Sequence, residues 1–228
     1  MRERFADELA AIEQQLLSAL DGIGRVLESI AEKILVSTGG PCELADASLQ
    51  LRQVSRNADE QLVAVTAQQA PVASDLRLVL SLIQLAHHAS LIANQFELIG
   101  EQLEQLKPDA RDPQQSARQL SLMSELAGRQ MRAATTVFAR RDATSAAQLD
   151  RQDDALDRIN RHVFEATHEL DGDADDRELA FRYVLIARSL ERIGDNAVDI
   201  AEQAVFLVTA ELQEFSDASH PKPRPAHD

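Results

Sequence analysis

The 228-residue chain has little of several residue types on which common fold classes depend. It contains one cysteine, no tryptophan, eight glycines and seven prolines, and its aromatic content is 4%. The single cysteine, Cys42, excludes an intrachain disulfide framework and is typical of a reducing compartment. Glycine and proline fall in a few clusters and do not recur every ten residues, as they do in sandwiches and barrels. These absences favour long helices.

Positive charge is also scarce, because 23 Lys and Arg residues stand against 38 Asp and Glu residues, for a net charge of −15. No basic cluster stands out, which argues against binding to a nucleic-acid backbone and favours cations and basic partner surfaces. The charged N-terminus, MRERFADELAAIEQQL, lacks a signal-peptide core, and no uninterrupted apolar run reaches 18 residues. We therefore expect a soluble cytoplasmic protein.

Apolar residues that recur every three or four positions predict six long helices. Ser74 or Asp75 is the expected N-cap of the third helix. The turn at 171–173 precedes the sixth helix, which is expected to continue to about residue 215. The first five predicted helices span about residues 3–36, 42–69, 73–106, 114–141 and 145–170.

Two prolines, Pro108 and Pro113, form the clearest boundary in the chain, since neither fits inside a helix. Three helices before this boundary and three after it predict an all-α fold of two tandem three-helix bundles, residues 1–107 and 114–215. The proline-rich tail, residues 216–228, has almost no apolar side chains and is expected to be disordered.

A shift of 101 residues relates the two halves and supports an internal duplication. The shift produces few identities, but the matching order of helices in the two halves supports the same interpretation. It aligns four pairs of identical residues: Asp75 with Asp176, Ala86 with Ala187, Ile92 with Ile193, and Glu101 with Glu202.

The stretch Ser189–Glu202, SLERIGDNAVDIAE, combines an acidic stripe with an apolar one. On a helix its four acids lie within about 80° of one another, and the apolar residues lie on the opposite side. The acids are Glu191, Asp195, Asp199 and Glu202. The apolar residues are Leu190, Ile193, Ala197, Ile200, Ala204 and Val208.

The fifth helix offers a second pair of acids, Asp153 and Asp157, four residues apart. Two facing pairs of carboxylates would suit Mg²⁺, Mn²⁺ or iron, which bind several oxygen ligands in octahedral geometry. The same spacing also fits a solvated acidic face balanced by Arg188 and Arg192. The residues alone leave both interpretations open.

The block LERIGDNAVDIAE at 190–202 resembles the hallmark of the PhoU family, the bacterial regulators of phosphate uptake and phosphate signalling. The segment QAPVASDLR at 69–77 resembles the family's other marker, and the N-terminal 16 residues are similar to the family's start. The resemblance covers residues 1–212. It implies two tandem three-helix bundles, each with E/D-x-x-x-D pairs on two helices that bind metal ions.

Carried over residue by residue, the resemblance implies one metal site in the second bundle. Asp199 occupies a position where the family usually has asparagine, so it is expected to be an additional ligand or a group that supports the ligands. The four ligands that the resemblance implies are Asp153, Asp157, Glu191 and Asp195.

The first bundle departs from the family pattern. Ser90 and Asn94 replace the Glu and Asp of the motif, and the facing helix offers either Ser48 with Arg52 or Arg52 with Arg56. An arginine at a cation's position would repel the cation. We therefore expect no metal in the first bundle.

The resemblance also implies a function. PhoU-type proteins act between a phosphate ABC transporter, with its ATPase and permease, and a membrane-bound sensor histidine kinase, and they restrain signalling when phosphate is plentiful. It implies a homodimer that reaches the membrane through these partners. The all-oxygen ligand set suits Mg, Mn and Fe alike and does not choose among them.

We expect no catalysis, because the sequence shows neither a nucleophile paired with a base nor a glycine-rich phosphate loop. Two alternatives stay open. One is a hydrolase or oxidase that uses the same carboxylates to hold a metal, and the other is a helical scaffold without metal.

Overall fold

A computed structural model of the chain describes residues 2–36, 41–69, 71–106, 114–168 and 174–212. Within these ranges the regular structure is helical throughout and includes no strand, which confirms the all-α prediction. The predicted tail, residues 216–228, lies outside the described residues. The six helices are α1 (Arg2–Val36), α2 (Pro41–Gln69), α3 (Ser74–Glu104), α4 (Gln114–Arg140), α5 (Ala143–His168) and α6 (Ala174–Thr209).

The helices form two three-helix bundles, α1–α3 and α4–α6, as the sequence predicts. In each bundle the second and third helices form a hairpin, α2 with α3 and α5 with α6. The bundles meet where α1 packs on α4 and α3 packs on α6, so the buried side chains form one continuous core. Helix α6 consequently has neighbours on three sides: α3, α4 and α5.

Helix α1 shows why these segments are helical. Nine apolar residues recur along it at steps of three or four, and every one of them is buried. Gly22 and Gly24 lie inside the helix without ending it, at a cost of about 1 kcal/mol each relative to alanine. The nine residues are Phe5, Leu9, Ile12, Leu16, Leu20, Ile23, Leu27, Ile30 and Ile34.

The backbones of the two bundles come into close contact where α1 crosses α4 at Gly24 and Gly128. A Cβ atom added to Gly128 would lie 3.0 Å from the carbonyl oxygen of Gly24 and 3.3 Å from Cβ of Leu27. Nearby, the hydroxyl of Ser124 on α4 donates a hydrogen bond of 2.6 Å to the carbonyl oxygen of Leu27. Only glycine lets the two backbones come this close.

The turn between α4 and α5 is closed by Arg141 and Asp142. Asp142 caps α5, because its Oδ1 accepts hydrogen bonds from the backbone N–H groups of Thr144 and Ser145, at 3.2 and 3.0 Å. Arg141 adopts a positive φ of 55° and donates a 2.8 Å hydrogen bond to Glu13 on α1. The side-chain hydrogen bond from Ser145 is the main reason that the pKa of Asp142 is lowered.

The predicted N-cap of α3 is wrong. Helix α3 begins at Ser74, and its N-cap is Ala73, which makes no side-chain capping bond. Ala73 has a φ of 51°, and this turn lets the backbone N–H of Asp75 donate to the carbonyl oxygen of Val72 at 3.2 Å. Ser74 and Asp75 therefore already lie inside the first helical turn.

Helix α6 ends at Thr209, earlier than the predicted end near Phe215. Ala210 adopts a φ of 62°, and the Thr209 hydroxyl accepts a 3.1 Å hydrogen bond from the backbone N–H of Glu211. Phe215 itself lies outside the described residues. Val208, in the last turn, is 54% exposed, so the predicted apolar stripe is buried only as far as Ala204.

Helix α3 is the one described helix that is long and apolar enough to cross a membrane, with a mean hydropathy of 1.4 over an 18-residue window. Half of that window is buried inside the molecule. The core helix of a helical bundle has the same length and composition, so this helix is weak support for a membrane span.

Candidate metal centre

Two of the predicted ligands lie inside the second bundle. Asp157 on α5 and Glu191 on α6 are each only 3% exposed. The spacing of the acids on α6 left a solvated acidic face open as an interpretation. The first acid of that stripe, Glu191, is instead buried. Burial of carboxylates is costly unless a cation or hydrogen-bond donors compensate for the lost water.

The electrostatics of Glu191 indicate that these two carboxylates lie near enough to repel each other. Burial raises the pKa of Glu191, Arg188 opposes this by pairing with the carboxylate, and the negative charge of Asp157 raises the pKa further. Asn160 on α5 also contributes a hydrogen bond that stabilises the ionised form. Arg188 lies one turn before Glu191 on α6, and its side chain is 44% exposed.

The other predicted ligands extend this pair along both helices. Asp195 and Asp199 follow Glu191 by one and two helical turns, and both are half-buried. Asp153 lies one turn before Asp157 on α5, but its side chain is outside what the structure describes. Among the side chains that are described, no three acids, histidines or cysteines are close enough together to hold a metal ion.

Asp199 lies near a different group, at the contact between α3 and α6. His88 on α3 is buried, and its Nδ1 atom is 2.8 Å from Oδ1 of Asn196 and 3.8 Å from Oδ2 of Asp199. The side-chain amide of Asn196 donates to the carbonyl oxygen of Arg192 at 2.6 Å, which leaves Oδ1 to accept from His88. His88 is therefore a buried histidine with a hydrogen-bond partner on the facing helix.

The pKa of His88 is lowered, because the effect of burial exceeds those of the hydrogen bond with Asn196 and the charge of Asp199, which raise it. The ring is therefore neutral at neutral pH and donates through Nδ1. Sequence reasoning missed Asn196 as its partner, although an amide beside the apolar stripe of α6 is the kind of signal that marks a buried polar contact.

Replacing His88 by leucine is expected to destabilise the fold by about 1–3 kcal/mol, because Oδ1 of Asn196 then stays buried without its donor. The adjacent His87 is exposed and supplies a matched control, for which His87→Leu is expected to change stability by less than about 0.5 kcal/mol. Thermal unfolding of the two variants measures the difference. Equal melting temperatures for both would show that the α3–α6 hydrogen bond contributes nothing.

Comparison with known proteins gives consistent matches. A family model described as the PhoU domain matches residues 120–204. The phosphate-specific transport system accessory protein PhoU homolog 1 of Methanothermobacter thermautotrophicus is 30% identical over 159 residues, which are 68% of this chain and 71% of that protein. The chain belongs to the PhoU family. The corresponding PhoU homolog of Pseudomonas aeruginosa is 29% identical over 211 residues, with 90% of this chain and 86% of the relative covered.

Solved PhoU structures have the same fold over nearly their whole length. The crystal structure of PhoU from Pseudomonas aeruginosa gives a TM-score of 0.70 at 26% identity and covers 91% of this chain and 100% of that one. The PhoU structure from Streptococcus pneumoniae gives a TM-score of 0.68 at 22% identity and covers 92% of this chain and 99% of that one. The six-helix arrangement described above is therefore that of the PhoU family.

The buried carboxylates between α5 and α6 have the chemistry that a metal ion implied by the PhoU resemblance would need. Asp157 and Glu191 are two buried carboxylates that raise each other's electrostatic energy, and half-buried Asp195 lies one turn further along α6. Oxygen-only ligands of this kind suit Mg²⁺, Mn²⁺ and iron. Arg188 now supplies the positive charge beside Glu191, so a bound ion would displace it from the carboxylate.

The first bundle has a different arrangement at the equivalent place. Arg52 on α2 donates hydrogen bonds to Asn94 and Glu97 on α3. The positive charge of an arginine thus lies where a PhoU-type motif would bring carboxylates together. These residues do not fit a metal ion.

Proposed function

We propose that the chain is a non-catalytic cytoplasmic regulator of phosphate uptake and phosphate signalling. In this role it is an adaptor between the ATPase and permease of a phosphate ABC transporter and a sensor histidine kinase. Membership of the PhoU family and the names of the relatives as phosphate-specific transport system accessory proteins support this role. The match to solved PhoU chains along their whole length supports it as well.

The proposal includes one metal site, in the second bundle. The observation that carries it is the buried pair of Asp157 and Glu191. Asp153 and Asp195 would complete the set of ligands, and Asp199 would be an additional ligand or a supporting group. A bound Mg, Mn or Fe ion would supply positive charge and link α5 rigidly to α6.

Without an ion, neighbouring side chains limit the repulsion between the carboxylates of Asp157 and Glu191. Arg188 pairs with Glu191, and Asn160 donates to the same carboxylate, so the hairpin of α5 and α6 keeps its geometry at the cost of a buried charge. An ion that replaced Arg188 would free a positively charged side chain at the surface. The charge presented by this side of the molecule would then differ between the two states.

We infer from the net charge of the chain that the partner's contact surface is basic. A net charge of −15 favours association with a basic face and makes that association sensitive to salt. We also propose that the chain forms a homodimer, as PhoU-type proteins do by resemblance, and that it reaches the membrane only through its partners.

Elemental analysis of purified protein tests the metal site. Glu191→Ala/Asp195→Ala is expected to lose most of the metal that the unaltered protein carries. Glu28→Ala/Glu32→Ala is the control, since it removes two exposed acids with the same spacing from α1 and is expected to keep the metal. Equal metal content in the two double variants would exclude the site between α5 and α6.

Co-purification tests the adaptor role. In phosphate-rich cells the protein is expected to retain the ATPase of the phosphate transporter and the sensor kinase, and to lose both as salt rises. If it retains neither under any phosphate condition, the adaptor role is wrong. Metal-dependent turnover of phosphoesters or dioxygen that disappears in Asp195→Ala would instead favour the hydrolase or oxidase.

A further inference from the structure

The internal repeat sets two arginines and two neutral residues of the first hairpin against the four proposed ligands of the second. The 101-residue shift superposes α2 and α3 on α5 and α6 in sequence, so each of the four proposed metal ligands has a counterpart in the first hairpin. None of the four counterparts is acidic. The pairs are Arg52 with Asp153, Arg56 with Asp157, Ser90 with Glu191 and Asn94 with Asp195.

Arg52 bridges the two helices of the first hairpin through its guanidinium group. Its Nε donates to Oε1 of Glu97 at 3.0 Å, and its Nη2 donates to the other oxygen of the same carboxylate and to Oδ1 of Asn94, the latter at 2.8 Å. Ser48, one turn earlier on α2, donates to Oε1 of Glu97 at 2.9 Å. Arg52 and Glu97 thus form a two-pronged pair, the geometry that matches a guanidinium to a carboxylate.

This arrangement differs from the ion pairs that lie along single helices. Arg25 with Asp21 and Arg129 with Glu125 each join residues four apart on one helix. The guanidinium of Arg52 instead has oxygen partners that all belong to the facing helix, and one of them, Asn94, is the repeat counterpart of Asp195. A positive charge at this place satisfies oxygens on α3 as a metal ion satisfies its ligands.

We propose that the guanidinium of Arg52 is a built-in cation that closes α2 onto α3 at the position where the second hairpin collects acids. The first bundle would then take no metal because its own side chain occupies the cation's place. The side chains of Arg52 and Glu97 are 32% and 47% exposed, so the pair's role is to fix charge and helix position, with little stability gained. The contrast with a metal-responsive second bundle rests on the proposed function, whereas the role of Arg52 does not.

The test first removes the two buried ligands of the second bundle, so that metal binding there is weakened before the first bundle is measured. In an Asp157→Asn/Glu191→Gln background, Arg52→Asp replaces the cation by a carboxylate that faces Glu97 and Asn94. The variant is expected to bind about one added Mn²⁺ per chain. Its melting temperature is expected to rise by about 5 °C or more when Mn²⁺ is at about 100 times the dissociation constant.

Arg129→Asp in the same background is the matched control. It makes the same charge change and leaves a carboxylate pair on a single helix, four residues from Glu125, without a facing asparagine. We expect no Mn²⁺-dependent shift for it. Arg52→Asn, which adds a neutral oxygen and no charge, is expected to give a smaller shift than Arg52→Asp.

The proposal is overturned if neither Arg52 variant shows a larger Mn²⁺ shift than Arg129→Asp while circular dichroism shows both to be helical. It is also overturned if the background protein, with Arg52 intact, binds Mn²⁺ at Glu97. Failure of the second-bundle site has a separate signature, because the metal content would then be unchanged by Asp157→Asn/Glu191→Gln.

Discussion

Replacing Gly128 by leucine is expected to lower the melting temperature by about 6–12 °C, which corresponds to about 3 kcal/mol for a chain of this size. The reason is the crossing of α1 and α4, where a Cβ atom on residue 128 would lie 3.0 Å from the Gly24 carbonyl oxygen. That oxygen belongs to a helix backbone and cannot rotate away as a side chain can. The rest of a leucine side chain would have to push the two helices apart.

Separation of α1 from α4 would strain more than one contact. The hydrogen bond from Ser124 to the carbonyl oxygen of Leu27 joins the same two helices, and so does the ion pair of Arg132 with Glu28. Because the two bundles share one continuous core, we expect the variant to unfold in a single transition at lower temperature. Differential scanning calorimetry measures both the temperature and the number of transitions.

Gly22→Ala is the matched control for this prediction. A Cβ atom on residue 22 would have its nearest neighbour, the Nη2 atom of Arg25, at 3.7 Å, which is ordinary van der Waals contact. The change should therefore stabilise α1 by up to about 1 kcal/mol, the helix propensity that glycine lacks. A Gly128→Leu protein that melts as high as Gly22→Ala would show that the crossing is looser than described.

The helices could be predicted from the sequence because their apolar spacing reports burial directly. In α1 every apolar residue at a three- or four-residue step is buried, and the same spacing identifies the core face of α6 from Leu190 to Ala204. Helix ends were less predictable, since Ala73 and Ala210 adopt positive φ values that no residue type at those positions announces. The N-cap and the end of α6 were wrong for that reason.

The candidate site could be predicted only in part. The spacing of the acids identified Glu191 and Asp157 as candidates. Their burial could not be predicted from that spacing, because α6 has neighbours on three sides and therefore no single solvent face. The contact of His88 with Asn196 joins residues 108 positions apart and leaves no local signal. Glu97 was missed because its repeat counterpart, Val198, carries no charge.

The proposed metal site predicts an inversion in the stability of Glu191→Gln. With a chelator present, the variant is expected to melt at the same temperature as the unaltered protein or higher. Burial and Asp157 raise the pKa of Glu191, so the ionised carboxylate is less favourable in the folded chain than in the unfolded one. A neutral amide of nearly the same shape removes that cost and can still accept a hydrogen bond from Arg188.

With metal present the order is expected to reverse. An ion at about 100 times its dissociation constant stabilises the unaltered protein by about 2.7 kcal/mol, or about 5–11 °C, whereas Glu191→Gln has lost a charged ligand and gains little. Glu165→Gln, an exposed acid on α5, is the control and should follow the unaltered protein in both conditions. Two melting curves that keep the same order with chelator and with metal would mean that the buried pair holds no ion. Arg188 alone would then balance the charge of Glu191.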